Sequence, residues 1–135
     1  MILARSGIVV LVVLAGALAC RTAPILNVTD APVPPGLTAD QVRDAITRGA
    51  EARKWSVTDA GPGRLVADLS LRGHQASVYI SYSERSYSIQ YRDSHDLDYD
   101  GTEIHKNYNG WIINMQRSID QELATARSAA QPHGY

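Results

Sequence analysis

The chain has 135 residues, of which 44% are hydrophobic and 20% are charged, and its formal net charge is −1. This length allows one small domain with its own core, and the near-neutral charge without a basic cluster argues against binding to nucleic acid. Phe is absent while Tyr occurs seven times, so Tyr and Trp must supply the aromatic packing.

The first residues have the pattern of a secretory signal peptide. A single basic residue, Arg5, precedes the uncharged apolar segment 7–19. A helix that crosses a bilayer needs about twenty apolar residues, so this segment is too short to span the membrane and is typical of a signal peptide. We therefore predict that residues 1–19 are removed, which leaves 116 residues in the mature protein.

This segment ends in Ala17-Leu18-Ala19-Cys20, where small residues precede the only cysteine of the chain. The pattern resembles the lipobox of bacterial lipoproteins, which implies a covalent lipid on Cys20. An exported chain with one cysteine forms no internal disulfide, and acylation explains that residue most simply. The same residues also fit the A-x-A pattern of ordinary signal peptidase, which would leave a soluble protein with a free thiol. In the lipobox resemblance, the residue that follows the lipidated cysteine is Arg21 rather than Asp, and this implies sorting to the outer membrane. The domain would then face the periplasm.

Proline content divides the mature chain. Residues 20–36 contain four of the six prolines and no sustained periodicity, which predicts a lipidated cysteine followed by an extended tether. Fully extended, this tether would reach at most about 55 Å at roughly 3.4 Å per residue. We predict a single domain over residues 37–127 and a flexible tail over residues 128–135.

The predicted domain begins with a helix and continues with strands. Thr38 and Gln41 have the spacing of a capping box, and the residues after them have a helical apolar period. From Trp55 the period becomes two, which predicts four strands joined by short turns. The apolar positions of these strands are Trp55 and Val57; Leu65, Ala67, Leu69 and Leu71; Ala76, Val78, Ile80 and Tyr82; and Tyr87, Ile89 and Tyr91.

A second helix closes the domain. Its apolar stripe contains Ile104, Tyr108, Trp111, Ile112, Met115, Ile119 and Leu123. The spacing of this stripe is helical, and it should lie across the sheet. The sequence thus predicts an α+β fold in the order helix, four-stranded antiparallel meander, helix, with both helices packed on one face of the sheet.

The start of this last helix breaks a local rule. His105 and Lys106 place basic side chains in the first turn, against the helix dipole, beside the poor helix formers Asn107 and Asn109. The run Ile104-His105-Lys106-Asn107-Tyr108-Asn109-Gly110-Trp111 resembles a segment of small proteobacterial lipoproteins of unknown role. This resemblance implies an envelope lipoprotein and no particular activity. Because broken local rules occur at functional sites, we consider His105, Asn107 and Asn109 candidate interaction residues.

The polar face of the predicted sheet has two interpretations. Ordinary solvated surface is one of them, since antiparallel sheets commonly expose one face. The other is a flat docking surface centred on Tyr79 with Arg72 and Arg92, because aromatic residues and Arg are enriched at interfaces. The sequence alone does not separate them.

The run Asp96-Leu97-Asp98-Tyr99-Asp100-Gly101 has the D-x-D-x-D-G spacing of a calcium loop. Carboxylates of Asp96, Asp98 and Asp100 at alternate positions can converge on one cation. However, the twelfth position of the loop is Asn107 rather than Glu, and no helix is predicted before it. The alternative is that Asp100 caps the following helix and the other two carboxylates are solvated.

Catalytic patterns are weak in this chain. His105 with nearby carboxylates could act in a hydrolase, and His74, His95 and His105 could bind zinc, although their spacing is irregular. No G-x-S-x-G or H-E-x-x-H motif occurs. We therefore predict no catalytic residues. The leading hypothesis is a lipid-anchored, non-catalytic envelope protein that binds or structurally supports an envelope protein partner and has no resident cofactor. Calcium binding by Asp96, Asp98 and Asp100 and hydrolysis by His105 are the alternatives.

Overall fold

The computed structural model describes residues 21–131, so the predicted signal peptide, Cys20 and the last four residues lie outside it. The described residues form an α+β domain with two helices. Its elements in chain order are β1 (Thr22–Pro24), β2 (Val28–Pro32), α1 (Ala39–Glu51), β3 (Ser56–Asp59), β4 (Arg64–Leu71), β5 (His74–Tyr82), β6 (Ser86–His95), β7 (Glu103–His105) and α2 (Lys106–Ala130).

Helix α1 begins where the sequence predicts it. The Thr38 hydroxyl accepts a hydrogen bond from the Gln41 N–H at 3.1 Å, and the Gln41 side chain accepts one from the Thr38 N–H at 2.9 Å. These two bonds confirm the predicted capping box. Further along α1, a Cβ on Gly49 would lie 2.6 Å from backbone atoms of Ile119 in α2. The absence of a side chain at Gly49 therefore lets the two helices pack closely.

Strands β3 to β6 form the predicted antiparallel meander, because each pairs with the next along the chain. The β4–β5 hairpin turns at Arg72 and Gly73, whose φ angles of 51° and 81° are those that a two-residue type I′ turn requires. The sheet order is β2-β6-β5-β4-β3, so the sheet has five strands rather than the four predicted.

The fifth strand comes from the predicted tether, and this part of the prediction is wrong. Strand β2 pairs with β6, and Val28 and Ala31 on it are buried. These two residues are three apart because an irregularity at Asp30, whose φ angle is 50°, shifts the register between them. That shift hides the two-residue alternation by which the other strands were recognised. Pro32 is tolerated because it ends an edge strand.

The remainder of the predicted tether is also held to the domain. Strand β1 pairs with β7, which places Ala23 opposite Ile104. The sequence predicts Ile104 in the last helix, but it lies in β7 and is fully buried, and α2 begins at Lys106. Three-residue strands are too short to show an alternation, which is why neither was predicted.

The C-terminal prediction is corrected in part. Helix α2 continues through residues 128–130, which were predicted to belong to a flexible tail. Ala129 and Ala130 favour a helix strongly, so the propensity of these residues extends it. Trp111 is half-buried and packs against the margin of the core rather than at its centre.

Buried side chains of both helices and of the sheet form one core. Leu97, in the loop before β7, is buried with them. The largest fully buried side chains are Tyr87, Tyr108, Ile46, Leu65, Ile80, Ile89, Leu97, Ile104, Ile112, Met115, Ile119 and Leu123.

Two buried tyrosines of this core differ in their polar ends. The Tyr87 hydroxyl donates a hydrogen bond of 2.5 Å to the Asp120 carboxylate, and burial together with this acceptor raises the pKa of Tyr87. The Tyr108 hydroxyl is buried and has no hydrogen-bond partner among residues 21–131, and burial raises its pKa as well. One tyrosine is therefore satisfied and the other is left with a desolvated hydroxyl.

Candidate functional site

The outer face of the five-stranded sheet is formed by side chains that alternate with the buried ones. The register of the strands aligns them in rows: Val66, Tyr79 and Gln90 form one row, and Asp68, Ser77 and Asp93 form the next. Most residues of this face are exposed or half-buried. The polar face that the sequence predicts is therefore present, with Tyr79 near its middle.

Tyr79 lies between two guanidinium groups. The Cζ of Arg64 is 4.0 Å from the ring centroid of Tyr79, and the Cζ of Arg92 is 5.6 Å from it. Both distances are within the range of a cation–π interaction, which stabilises exposed pairs by about 0.5–1 kcal/mol. Both cations thus contact the half-buried ring on the outer face. We call Arg64, Tyr79 and Arg92 the Tyr79 cluster.

A β-bulge places Arg92 in this cluster. In the pairing of β5 with β6, Val78 is opposite Tyr91 and Ser77 is opposite Asp93, so Arg92 is the extra residue. Its guanidinium Nη1 donates a hydrogen bond of 3.2 Å to the Ser77 hydroxyl, which is buried. Bulges commonly reorient a side chain in this way.

The surface predicted from the sequence includes Arg72 but not Arg64. Arg64 pairs with Ser81, two residues from Tyr79, and this diagonal neighbourhood brings a long side chain over the ring. Arg72 lies in the β4–β5 turn, is exposed, and is not part of the Tyr79 cluster. Once the β4–β5 turn is placed at Arg72 and Gly73, the strand register identifies Arg64 as a neighbour of Tyr79.

An open groove of about 740 Å³ lies beside the cluster on the same face. Its polar groups include the carboxylates of Asp68 and Asp93, the guanidinium of Arg92 and the imidazole of His95. The groove is lined by Asp68, Leu69, Ser70, Gln75, Ala76, Ser77, Arg92, Asp93, Ser94 and His95. This arrangement of donors and acceptors suits a polar partner rather than an apolar ligand.

Two of the three candidate residues at the start of α2, His105 and Asn109, make structural hydrogen bonds through their side chains, and the side chain of Asn107 is exposed. The His105 Nδ1 accepts a hydrogen bond of 3.1 Å from the Asn107 N–H and thereby caps α2. A neutral ring that accepts at Nδ1 carries its proton on Nε2. The Asn109 side chain accepts a bond from the Leu26 N–H and donates one to the Pro24 carbonyl, each at 2.9 Å. Asn109 therefore ties the N-terminal segment to α2.

The loop between β6 and β7 contains the predicted calcium ligands. Asp100 accepts hydrogen bonds from the N–H groups of Glu103 at 2.7 Å and Thr102 at 2.9 Å, which lower its pKa. These bonds fold the turn before β7 and do not cap α2, so the predicted helix cap at Asp100 is wrong. Asp96 and Asp98 both have left-handed backbone, with φ angles of 57° and 53°. Calcium binding by these residues stays a prediction.

The histidines lie around the same loop. The Nδ1 of His74 is 2.6 Å from the carbonyl oxygen of Asp96, and the Nε2 of His95 is 3.6 Å from the Asp96 carboxylate. The His105 N–H donates to the Leu97 carbonyl at 2.8 Å. Within residues 21–131, no three His, Cys, Asp or Glu side chains are grouped closely enough to hold a metal ion.

Comparisons with protein-family models, curated proteins and solved structures found no match to this chain. They assign neither a family nor an activity to it. In the described part of the chain, no helix has the length and apolar character needed to cross a membrane.

Proposed function

We propose that this protein is a lipid-anchored protein of the outer membrane whose periplasmic domain binds an envelope protein through the Tyr79 cluster. The anchor part of the proposal depends on residues 1–19 and Cys20, which have the pattern of a lipoprotein signal. The binding part depends on the outer face of the sheet. In this proposal the domain has no catalytic role.

The observation that carries the binding part is the position of Tyr79 between Arg64 and Arg92. A tyrosine that already contacts two cations loses less conformational freedom when a partner covers it than a free side chain would, and Tyr and Arg are enriched among the residues that dominate interface energies. Each guanidinium has a planar fork of donors that matches a carboxylate. We therefore expect a partner that presents acidic side chains around a flat contact with the Tyr79 ring.

The anchor is tested by replacing Cys20. The full-length protein and a Cys20→Ser variant are expressed in a proteobacterium, and membrane and soluble fractions are compared together with metabolic labelling by a fatty acid. We expect the unaltered protein to be labelled and membrane-bound, and the variant to be unlabelled and soluble. A variant that stays in the membrane fraction would refute lipidation as the anchor.

The docking face is tested by crosslinking within the envelope. A photo-crosslinking residue in place of Ser81, which is exposed and pairs with Arg64, lies beside the Tyr79 cluster and replaces none of its three residues. The matched control places the same residue at Thr125, on an exposed position of α2. We expect a discrete adduct from position 81 only, and we expect Tyr79→Ala to abolish it. No adduct, or an adduct that persists in Tyr79→Ala, would contradict the proposal.

A further inference from the structure

The described domain begins immediately after the predicted lipidation site. Thr22 pairs with His105 in the first residue of β1, and the carbonyl of Arg21 accepts a hydrogen bond of 2.9 Å from the Lys106 N–H. Consecutive Cα atoms are about 3.8 Å apart, so a lipid on Cys20 would be attached one residue before a fixed point of the domain. Almost no free chain therefore separates Cys20 from the domain. The sequence predicts instead an extended tether of about 55 Å over residues 20–36.

From this attachment point we propose that the protein, if anchored through Cys20 as proposed above, is held directly on the bilayer with one defined end against the lipid headgroups. We call this the anchor end. It contains the β4–β5 turn, the loop of residues 96–101 and the start of α2. The partner of the anchor end is thus a lipid surface. The position of β1 in the fold determines that this end of the domain, rather than another, faces the lipid.

A chain of short contacts shows that these segments share one end of the molecule. The carbonyl of Arg21 accepts a hydrogen bond from the first residue of α2, and the N–H of His105 donates one to the carbonyl of Leu97 in the loop. The Nδ1 of His74, the residue after the β4–β5 turn, is 2.6 Å from the carbonyl oxygen of Asp96 in the same loop. Strand β5 then runs nine residues away from this end, about 27 Å, to the turn that contains Glu84.

The side chains of the anchor end suit the headgroup region. Three large hydrophobic residues in the described part of the chain are exposed, and two of them, Leu71 and Tyr99, lie at this end with exposures of 40% and 39%. Tyrosine is favoured at membrane interfaces, where its ring is partly buried and its hydroxyl stays wet. Exposed Arg72 and Lys106 can place their charges among phosphates while their stems cover apolar surface.

The acidic residues at this end weaken its attraction to a membrane when the protein carries no lipid. Asp96, Asp98 and Asp100 are exposed in the loop and offset the basic side chains. Electrostatic attraction to anionic lipids is therefore weak, and the short anchor, rather than charge, holds this end at the membrane. The domain without the lipid is expected to leave the membrane, which agrees with the expected behaviour of Cys20→Ser.

The test measures the depth of three positions in the lipidated, full-length protein. Leu71→Cys and Tyr99→Cys variants place a fluorophore at the anchor end, and Glu84→Cys places it at the exposed turn at the far end. Each labelled protein is reconstituted in vesicles of phosphatidylethanolamine and phosphatidylglycerol that contain a headgroup-spin-labelled lipid. We expect quenching at positions 71 and 99 to be several-fold stronger than at position 84. Equal quenching, or stronger quenching at 84, would overturn the inference.

A second variant separates this inference from the proposed anchor. A Gly/Ser insertion of about ten residues between Cys20 and Arg21 spans about 17 Å and restores the freedom that the short attachment removes. We expect it to stay in the membrane fraction while quenching at position 71 falls to the level at position 84. Unchanged quenching would show that the short attachment does not set the orientation. Failure of the unaltered protein to associate with membranes would instead refute the proposed anchor itself.

Discussion

The two faces of the five-stranded sheet are made by the same strands, but their side chains have different surroundings. On the inner face, Leu65, Val78 and Ile80 are buried in the core that also contains the apolar side chains of both helices. On the outer face, Tyr79 is half-buried and contacts the guanidinium groups of Arg64 and Arg92. The inner face therefore determines stability, while the outer face leaves most of its side chains exposed or half-buried. In the proposed function, this exposed surface meets the partner.

This difference is tested most severely by Gly49→Ala in α1. The new Cβ would meet the backbone of Ile119 at 2.6 Å, which no rotamer change relieves, so the helices must separate. We expect a loss of about 3 kcal/mol in the free energy of unfolding, measured by urea denaturation. Gly110→Ala is the matched control, because its Cβ meets nothing within 4 Å and α2 should gain about 0.5–1 kcal/mol. Similar losses for both variants would contradict the close helix contact.

Alkaline pH is the next test, and it concerns the core that the inner face of the sheet forms with the helices. Burial raises the pKa of Tyr87 and Tyr108 above the ordinary value of 10.0, so the folded state keeps protons that the unfolded state releases above that pH. Stability is then fully present below pH 10 and falls as the pH rises further, by about 1.4 kcal/mol per pH unit for each tyrosine. Urea denaturation followed by circular dichroism between neutral pH and pH 11 measures this fall. Constant stability over that range would contradict the burial of both hydroxyls.

The two buried tyrosines can be separated by removing one hydroxyl at a time. Tyr87→Phe loses the bond to Asp120, and we expect a loss of about 1.5 kcal/mol, because the exposed Asp120 carboxylate can be rehydrated. Tyr108→Phe removes a hydroxyl that has no hydrogen-bond partner within residues 21–131, and we expect a gain of about 1 kcal/mol. Thermal and urea unfolding of both variants give the comparison. A destabilised Tyr108→Phe would reveal a hydrogen-bond partner of its hydroxyl.

The smallest effect on stability is expected on the outer face. Arg64→Ala removes one cation–π contact and should cost about 0.5–1 kcal/mol, with the coupling measured by a double-mutant cycle with Tyr79→Leu. The same variant should strongly reduce the crosslinked adduct from position 81. Arg85→Ala, in the exposed β5–β6 turn, is the control that should change neither quantity. A large loss of stability in Arg64→Ala would mean that the outer face holds the fold together.

Short-range patterns allowed much of the domain to be predicted. The capping box at Thr38, the four meander strands and the apolar stripe of α2 each depend on residues a few positions apart. The strand at residues 28–32 was missed because the irregularity at Asp30 interrupts its alternation. The polar face and Tyr79 were predicted from the sequence. Arg92, however, reaches Tyr79 because of a β-bulge that no local sequence pattern predicts.

The sequence by itself determined the helix start at Thr38, the alternation of the meander and the lipoprotein-like segment that ends at Cys20. The tertiary structure alone decided that β1 pairs with β7 and that Arg64 and Arg92 enclose Tyr79. The reason is the distance along the chain. Thr22 and His105 are far apart in sequence, so their pairing depends on the packing of everything between them rather than on their own propensities. The same pairing holds against the domain a segment that the sequence predicts to be a free tether.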